Sequence, residues 1–186
     1  MSHHEPESSE VSKTADETEI TIRPRGFNIV WGKDTRYWQL PEKSLIIKTS
    51  TAEDLNRNKD TEAAAELKQV CWLEITGSVD VKAGKKYAIE FQVSMKPDAF
   101  GWSGCPVFMM AKVGKKGKYI WKKITTLEKR TNTDPFSIPE TNSQLTIDVS
   151  SNATAPDNKL FFGLYEVWSG KWKGGLLIHK AIIRQI

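Results

Sequence analysis

Hydrophobic and polar positions alternate with a period of two along most of the chain. In YAIEFQVSM (87–95), Tyr87, Ile89, Phe91, Val93 and Met95 share one face, and Ala88, Glu90, Gln92 and Ser94 share the other. That pattern predicts a strand buried on one side and wet on the other. LKQVCWLEITG (67–77) is apolar on both alternating sets, which predicts a central strand with Trp72 in the core. VFMMAKV (107–113) and KYIWKKI (118–124) flank Gly114-Lys-Lys-Gly117, a hairpin signal. QLTIDV (144–149) turns Leu145, Ile147 and Val149 inward. KLFFGLYEVW (159–168) and GLLIHKAIIRQI (175–186) close the chain. Only DTEAAAELKQ (60–69) reads as a helical turn or two, capped by Asp60 or Thr61, and 43–66 reads as an insertion or large loop. Many short strands at near-regular spacing predict an all-β fold. The expected form is an antiparallel β-sandwich, jelly-roll-like, with few short helical turns.

Charge divides the chain. Residues 1–20 hold six of the 23 acidic side chains against Lys13 alone, and the body holds the other 26 of the 27 basic ones. The first segment has no aromatic residue, so 1–20 is expected to be a disordered acidic tail ahead of one basic domain, 21–186. No secretory signal precedes it and no apolar run reaches membrane-spanning length. Two cysteines, Cys71 and Cys105, are then expected as free thiols, and Asn152-Ala-Thr154 as a bare sequon. The expected compartment is the cytoplasm, with the nucleus second.

The inventory for catalysis is thin. His179 is the one histidine outside the tail, and no Cys/His spacing fits a metal. No phosphate-cradling or nucleophile-elbow motif occurs. Glu74 and Glu90, on strands expected to be neighbours, could form a carboxylate pair, but one glutamate per strand on a wet face is ordinary sheet surface. A binder without catalytic residues or cofactor is the expectation.

Two binding chemistries compete. KVGKKGKYIWKK (112–123) interleaves Lys112, Lys115, Lys116, Lys118, Lys122 and Lys123 with Tyr119 and Trp121, as a single-stranded nucleic-acid surface would. The bland reading is a solvated hairpin whose lysines block edge pairing. GFNIVWGKDTRYWQL (26–40) sets Trp31 and Tyr37-Trp38 around a polar turn holding Asp34. A flat ring beside short polar groups suits a sugar, with one apolar face and a rim of hydroxyls. Glu166, Trp168 and Trp172 repeat the mixture near the C-terminus. Composition alone leaves Trp31 and Trp38 open between core and site.

Four stretches occur in an order that resembles a known family. They are GFNIVWGKDTRYWQL, AELKQVCWLEITGSV (65–79), KKYAIEFQV (85–93) and LYEVWSGKWKGGLLIHKAIIRQI (164–186). Together they resemble the phloem protein 2 family, the Nictaba-like plant lectins, over about residues 26–186. The resemblance implies a β-sandwich lectin domain over 21–186 that binds N-acetylglucosamine oligomers or N-glycan cores and is non-catalytic. It also implies a nucleocytoplasmic setting, homodimers in many members, and links to RNA. The family's sugar-binding tryptophans fall on Trp31 and Trp38, and a family glutamate falls on Glu166. Tyr37, Asp34 and Trp172 complete the expected groove. Two departures stand out. Lys159 occupies a second acidic position, and the family's D-G-W-x-E-I-x-L-G block has no counterpart between Thr126 and Ser150.

Overall fold

The computed structural model describes residues 2–42, 64–129 and 132–186. Most of the expected 43–66 insertion, and residues 60–63 of the expected helix, lie outside these. Thirteen strands are described. They are β1 (Val11–Lys13), β2 (Glu19–Ile22), β3 (Asn28–Ile29), β4 (Trp38–Gln39), β5 (Ala65–Leu67), β6 (Leu73–Asp80), β7 (Lys86–Phe100), β8 (Val107–Val113), β9 (Ile120–Ile124), β10 (Phe136–Ile138), β11 (Leu145–Asp148), β12 (Lys159–Glu166) and β13 (Gly174–Gln185). Among the described residues, helix is one turn, α1 (Thr126–Lys129), and three 3-10 turns.

All strand pairings are antiparallel, in two sheets. One runs β3-β6-β12-β8-β9. In the other, β13 lies between β7 on one side and β2 and β5 on the other, with β10 and β11 extending beyond β7 and β1 and β4 beyond β2 and β5. The expected antiparallel sandwich is therefore the observed fold. The chain alternates between sheets: β5 to β6, β6 to β7, β7 to β8, and β12 to β13 all cross. Among the described strands, β1–β2, β4–β5 and β8–β9 pair as sequence neighbours.

That alternation corrects two expectations. Glu74 lies on β6 and Glu90 on β7, in different sheets, so they form no pair. The 67–77 stretch is also not one strand. β5 ends at Leu67, Val70 makes a lone bridge to Lys173, and β6 starts at Leu73. Trp72 sits in this break, 45% exposed, with its indole N–H donating to Glu74 Oε2 at 2.8 Å. The strand reading of 67–77 put it in the core; the break turns it out. Residues 65–67 of the expected helix are strand.

Inward rows from both sheets meet in one core. Phe91 of β7, Phe162 of β12 and Phe27 before β3 pack with centroids 5.6–6.4 Å apart. Such ring pairs contribute about 0.5–1.5 kcal/mol each beyond their burial. The N-terminal segment is also folded, contrary to the expected disorder. His4 bridges Ile29, and Val11–Lys13 pairs with β2, which pairs with β13. Backbone pairing onto an otherwise open sheet edge supplies what its composition lacks in apolar surface.

Candidate functional site

The Trp31–Trp38 turn is built from backbone hydrogen bonds. Gly32 N–H donates to Ile29 O and Asp34 N–H to Trp31 O, each at 3.0 Å; Tyr37 and Trp38 N–H both donate to Asp34 O. At its corner Trp31 has φ of 65°. The left-handed region costs a residue with a β-carbon about 1–2 kcal/mol. The gain is direction: the indole leaves the sheet and stands 42% exposed. Trp31 N–H donates to His3 Nδ1 at 3.0 Å, and the two rings meet edge-on at 5.5 Å.

Three rings form a file. Tyr37 lies edge-on to Trp31 at 5.9 Å and tilted against Trp172 at 6.3 Å. Trp172, like Trp31, is half-exposed. The expected grouping of Trp31, Tyr37 and Trp172 is thus brought together from two distant segments. Gly101 makes room for the Trp172 loop. It holds φ of +82°, and a β-carbon there would meet Trp172 O at 2.0 Å.

Asp34 borders this file but is already occupied. Its Oδ1 accepts from Arg36 N–H and Nε, each at 3.0 Å, and its Oδ2 from Nη2 at 2.7 Å. The Arg36 side-chain hydrogen bonds, then its backbone N–H and its charge, hold the Asp34 carboxyl down to about 2. A depressed carboxyl stabilises the turn above its unfolded value and loses that contribution as pH falls through the folded one. Asp34 is therefore expected to titrate near 2 by carbon-detected NMR; a midpoint near 4 would mean that the Arg36 pair does not form.

Two expected site residues are not surface groups. Trp38 is 1% exposed and pairs in β4 with Leu67. Adjacent residues of a strand point to opposite faces, so with Gln39 of β4 exposed Trp38 turns inward. Glu166 is fully buried, in the same inward row of β12 as Leu160, Phe162 and Leu164. Its carboxylate meets Lys173 Nζ at 2.5 Å and accepts Ser169 N–H and Oγ–H at 3.0 Å each. Burial pushes its carboxyl up, but the hydrogen bonds from Lys173 and Ser169, with the Lys173 charge, hold it below the ordinary glutamate value. Lys173 also donates to Lys171 O at 2.8 Å. Glu166 thus pins the 169–173 loop that carries Trp172, and no lone pair faces solvent.

The same turn also lines a cavity of about 350 Å³, bounded by His4, Arg25, Lys33, Thr35, Trp38 and Gln39 among others. Two of these side chains carry buried polar atoms without a hydrogen-bond partner: His4 Nε2 and Trp38 Nε1. His4 Nδ1 lies 2.9 Å from Phe27 O, so that nitrogen carries the proton in neutral His4 and Nε2 is an acceptor. Glu7 Oε1 stands 3.6 Å from Nε2. Two cavity-lining residues thus carry an unpartnered buried donor, the Trp38 indole N–H, and an unpartnered buried acceptor, His4 Nε2, among the described residues. Buried groups of this kind are rare and ask for an explanation.

The lysine hairpin is partly engaged within itself. Lys112 Nζ donates to Lys115 O and lies 4.9 Å from the Tyr119 ring centre and 5.7 Å from that of Phe161. Lys122 Nζ donates to Ser143 Oγ. Lys115, Lys116, Lys118 and Lys123 are exposed. His179 is the extra residue at the β13 bulge, half-buried and 2.7 Å from Ser94 Oγ. Burial, then the Lys180 charge, lowers its pKa. Both cysteines are free. Among the described residues no group of three His, Cys, Asp or Glu could hold a metal ion, and no helix is long and apolar enough to cross a membrane.

Residues 17–185 match the family model for phloem protein 2. The chain belongs to the phloem protein 2 family. Protein PHLOEM PROTEIN 2-LIKE A9 of Arabidopsis thaliana is 43% identical over 192 residues, covering 100% of this chain and 97% of that protein. PHLOEM PROTEIN 2-LIKE A1 of the same plant is 28% identical, over 86% of this chain and 58% of that protein. A lectin of Luffa acutangula is 28% identical over 48% of this chain and 39% of that protein. In this phloem protein 2 domain, sequence reasoning missed His3, His4, Ser169 and Lys173. The first two lay in a segment read as disordered. Ser169 and Lys173 lie in a loop between two sheets, where no periodicity marks which side chains turn inward. The parity of Trp38 against Gln39, and of Glu166 with Leu164, was the available signal for the other two.

Proposed function

We propose that this domain is a non-catalytic carbohydrate-binding module that recognises N-acetylglucosamine oligomers through the Trp31–Trp38 turn. The observation that carries the reading is that the turn sets exposed Trp31 beside half-buried Tyr37 and exposed Trp172, and also lines a cavity two of whose residues, His4 and Trp38, carry unpartnered buried polar atoms. Trp31, Tyr37 and Trp172 offer flat apolar faces to the CH side of pyranose rings. An acetamide carries one carbonyl acceptor and one N–H donor. It complements the unpartnered Trp38 N–H and His4 Nε2, which a small shift of the cavity-lining side chains would open to it. The kinship with a Luffa acutangula lectin supports the same class of ligand.

Isothermal titration with chitotriose tests this. Trp31→Gly is the sharpest variant, because glycine is at ease at φ of 65°. The variant is expected to be at least as stable as the parent, while Kd for chitotriose rises about tenfold or more. Cellotriose, which lacks acetamides, is expected to bind about tenfold more weakly than chitotriose, equivalent to one lost hydrogen bond. Equal affinity for the two sugars would remove the acetamide assignment. Unchanged affinity in Trp31→Gly would remove the ring file. Affinity should also be indifferent to salt; a steep decline would instead point to the exposed lysines and a polyanion.

A further inference from the structure

A second group of rings stands on the outer face of the five-stranded sheet. Phe108 of β8 is met edge-on by Trp121 of β9 at 5.4 Å and by Trp168, beyond β12, at 5.2 Å, with interplanar angles of 79° and 82°. Both indoles are far out of the core, Trp121 at 62% and Trp168 at 55% exposed. They rise on either hand of a cleft of about 480 Å³ with Phe108 and Met110 as floor and Pro106 at one end. Exposed indoles on this scale are disfavoured in water unless something covers them.

The lining selects the occupant. No carboxylate, amide or hydroxyl side chain contributes to it, so a sugar's hydroxyls would find no partner there. A flat aromatic ring would, because indole, phenyl and thioether groups all attract such a ring. The volume lies in the range of small-ligand pockets. Register adds a charge. Lys123 is the cross-strand partner of Phe108, so the two side chains leave the same face of the sheet, side by side. Lys123 is exposed and has no ion-pair or hydrogen-bond partner among the described residues. Trp121, opposite Met110, lies two residues before it on the same face. Lys123 is not part of the cleft lining, but it stands next to Phe108 and Trp121 on the same face, where its ammonium group can reach a charged substituent on a molecule held in the cleft.

The geometry points to a second binding site, built by Phe108, Met110, Trp121 and Trp168, for a small planar aromatic molecule bearing a carboxylate that meets Lys123. This site is separate from the Trp31–Trp38 turn and does not rest on the carbohydrate reading. The two share one structural link: Trp168 and Trp172 flank the loop that the Glu166–Lys173 pair holds.

The test uses the full chain, 2-naphthoate as probe, and naphthalene-2-carboxamide as its uncharged counterpart. Titration calorimetry and saturation-transfer NMR would read binding. The expected result is saturable naphthoate binding with Kd of about 1 mM or tighter. Trp121→Leu, a change at an exposed position, raises that Kd about tenfold while the circular dichroism spectrum and chitotriose affinity stay as in the parent. Lys123→Gln weakens naphthoate about threefold at low salt and leaves the carboxamide unaffected. No saturation by about 10 mM, or equal naphthoate affinity in Trp121→Leu, overturns the site. Displacement of naphthoate by chitotriose also overturns it, because the ring would then sit on the Trp31 file. A dimer in sedimentation that Trp121→Leu dissolves would reassign the cleft to contact between copies of the chain.

Discussion

Glu166→Ala is expected to lower the stability of the domain by about 3–5 kcal/mol, because it leaves Lys173 charged, fully buried and unpaired. For a chain of this size that corresponds to a fall in Tm of roughly 6–20 °C. Taking both charges away behaves differently. Glu166→Leu with Lys173→Met removes the pair together, and well-packed apolar replacements of buried pairs are often neutral or better. The double variant is therefore expected to recover most of the loss, less the two Ser169 hydrogen bonds. The same contrast should appear against pH. Glu166 titrates below its ordinary value of 4.5, so its contribution is complete above that value and is lost as pH falls through the lower folded one. Parent stability, read by urea denaturation, should decline on that acid side more steeply than that of the double variant. Equal stability of Glu166→Ala and parent would mean that Lys173 reaches solvent and the pair is not buried. Because the pair holds the loop bearing Trp172, chitotriose affinity should fall in Glu166→Ala as well, through the position of a ring and not through loss of a hydroxyl partner.

Trp38→Ala carries an expected loss of similar size, about 3–5 kcal/mol, as for a large ring deleted from a packed core. Its failure to bind sugar would then be uninformative, since an unfolding variant binds nothing. Trp38→Phe separates packing from recognition. The parent leaves Nε1–H buried without an acceptor, so phenylalanine removes an unsatisfied donor along with some volume. Urea denaturation is expected to show a change below about 1.5 kcal/mol. If the indole N–H donates to an acetamide, chitotriose affinity falls about tenfold in this stable variant while cellotriose affinity stays put. Unchanged chitotriose affinity would assign Trp38 to the core alone.

The two residues bear on how the site could be read in advance. Composition marked Trp31, Trp38, Tyr37, Trp172 and Glu166 as a group, and the family resemblance ranked Trp31, Trp38 and Glu166 first. The fold keeps Trp31 and Trp172 as exposed rings, leaves Tyr37 half-buried between them and takes Trp38 and Glu166 inside. Strand parity separates Trp38 from Gln39, its outward neighbour in β4, since neighbours in an extended chain face opposite ways. Parity also placed Glu166 with Leu160, Phe162 and Leu164. What parity could not supply was a partner that makes a buried carboxylate tolerable. Lys173 sits beyond a loop and across the sandwich entrance, with nothing in its local sequence to mark it.

By itself, the sequence determined the all-β class, the positions of most of the long strands and the family, because a period of two is a local property and an inward row must be apolar wherever it lies. Tertiary structure decided which strands are neighbours. The chain switches sheets between β6 and β7 and again between β12 and β13, so residues close in sequence, such as Glu74 and Glu90, part company. The structure also decided the fate of the N-terminal segment. Its few apolar residues could not form a core alone, but an open edge at β2 and the backbone of Ile29 give it hydrogen bonds that no composition shows. The ring file and the cavity lined by the same turn arise in the same way: a tryptophan bent into left-handed geometry, a tyrosine, a loop residue from the far end of the chain and a histidine from its start meet only after folding.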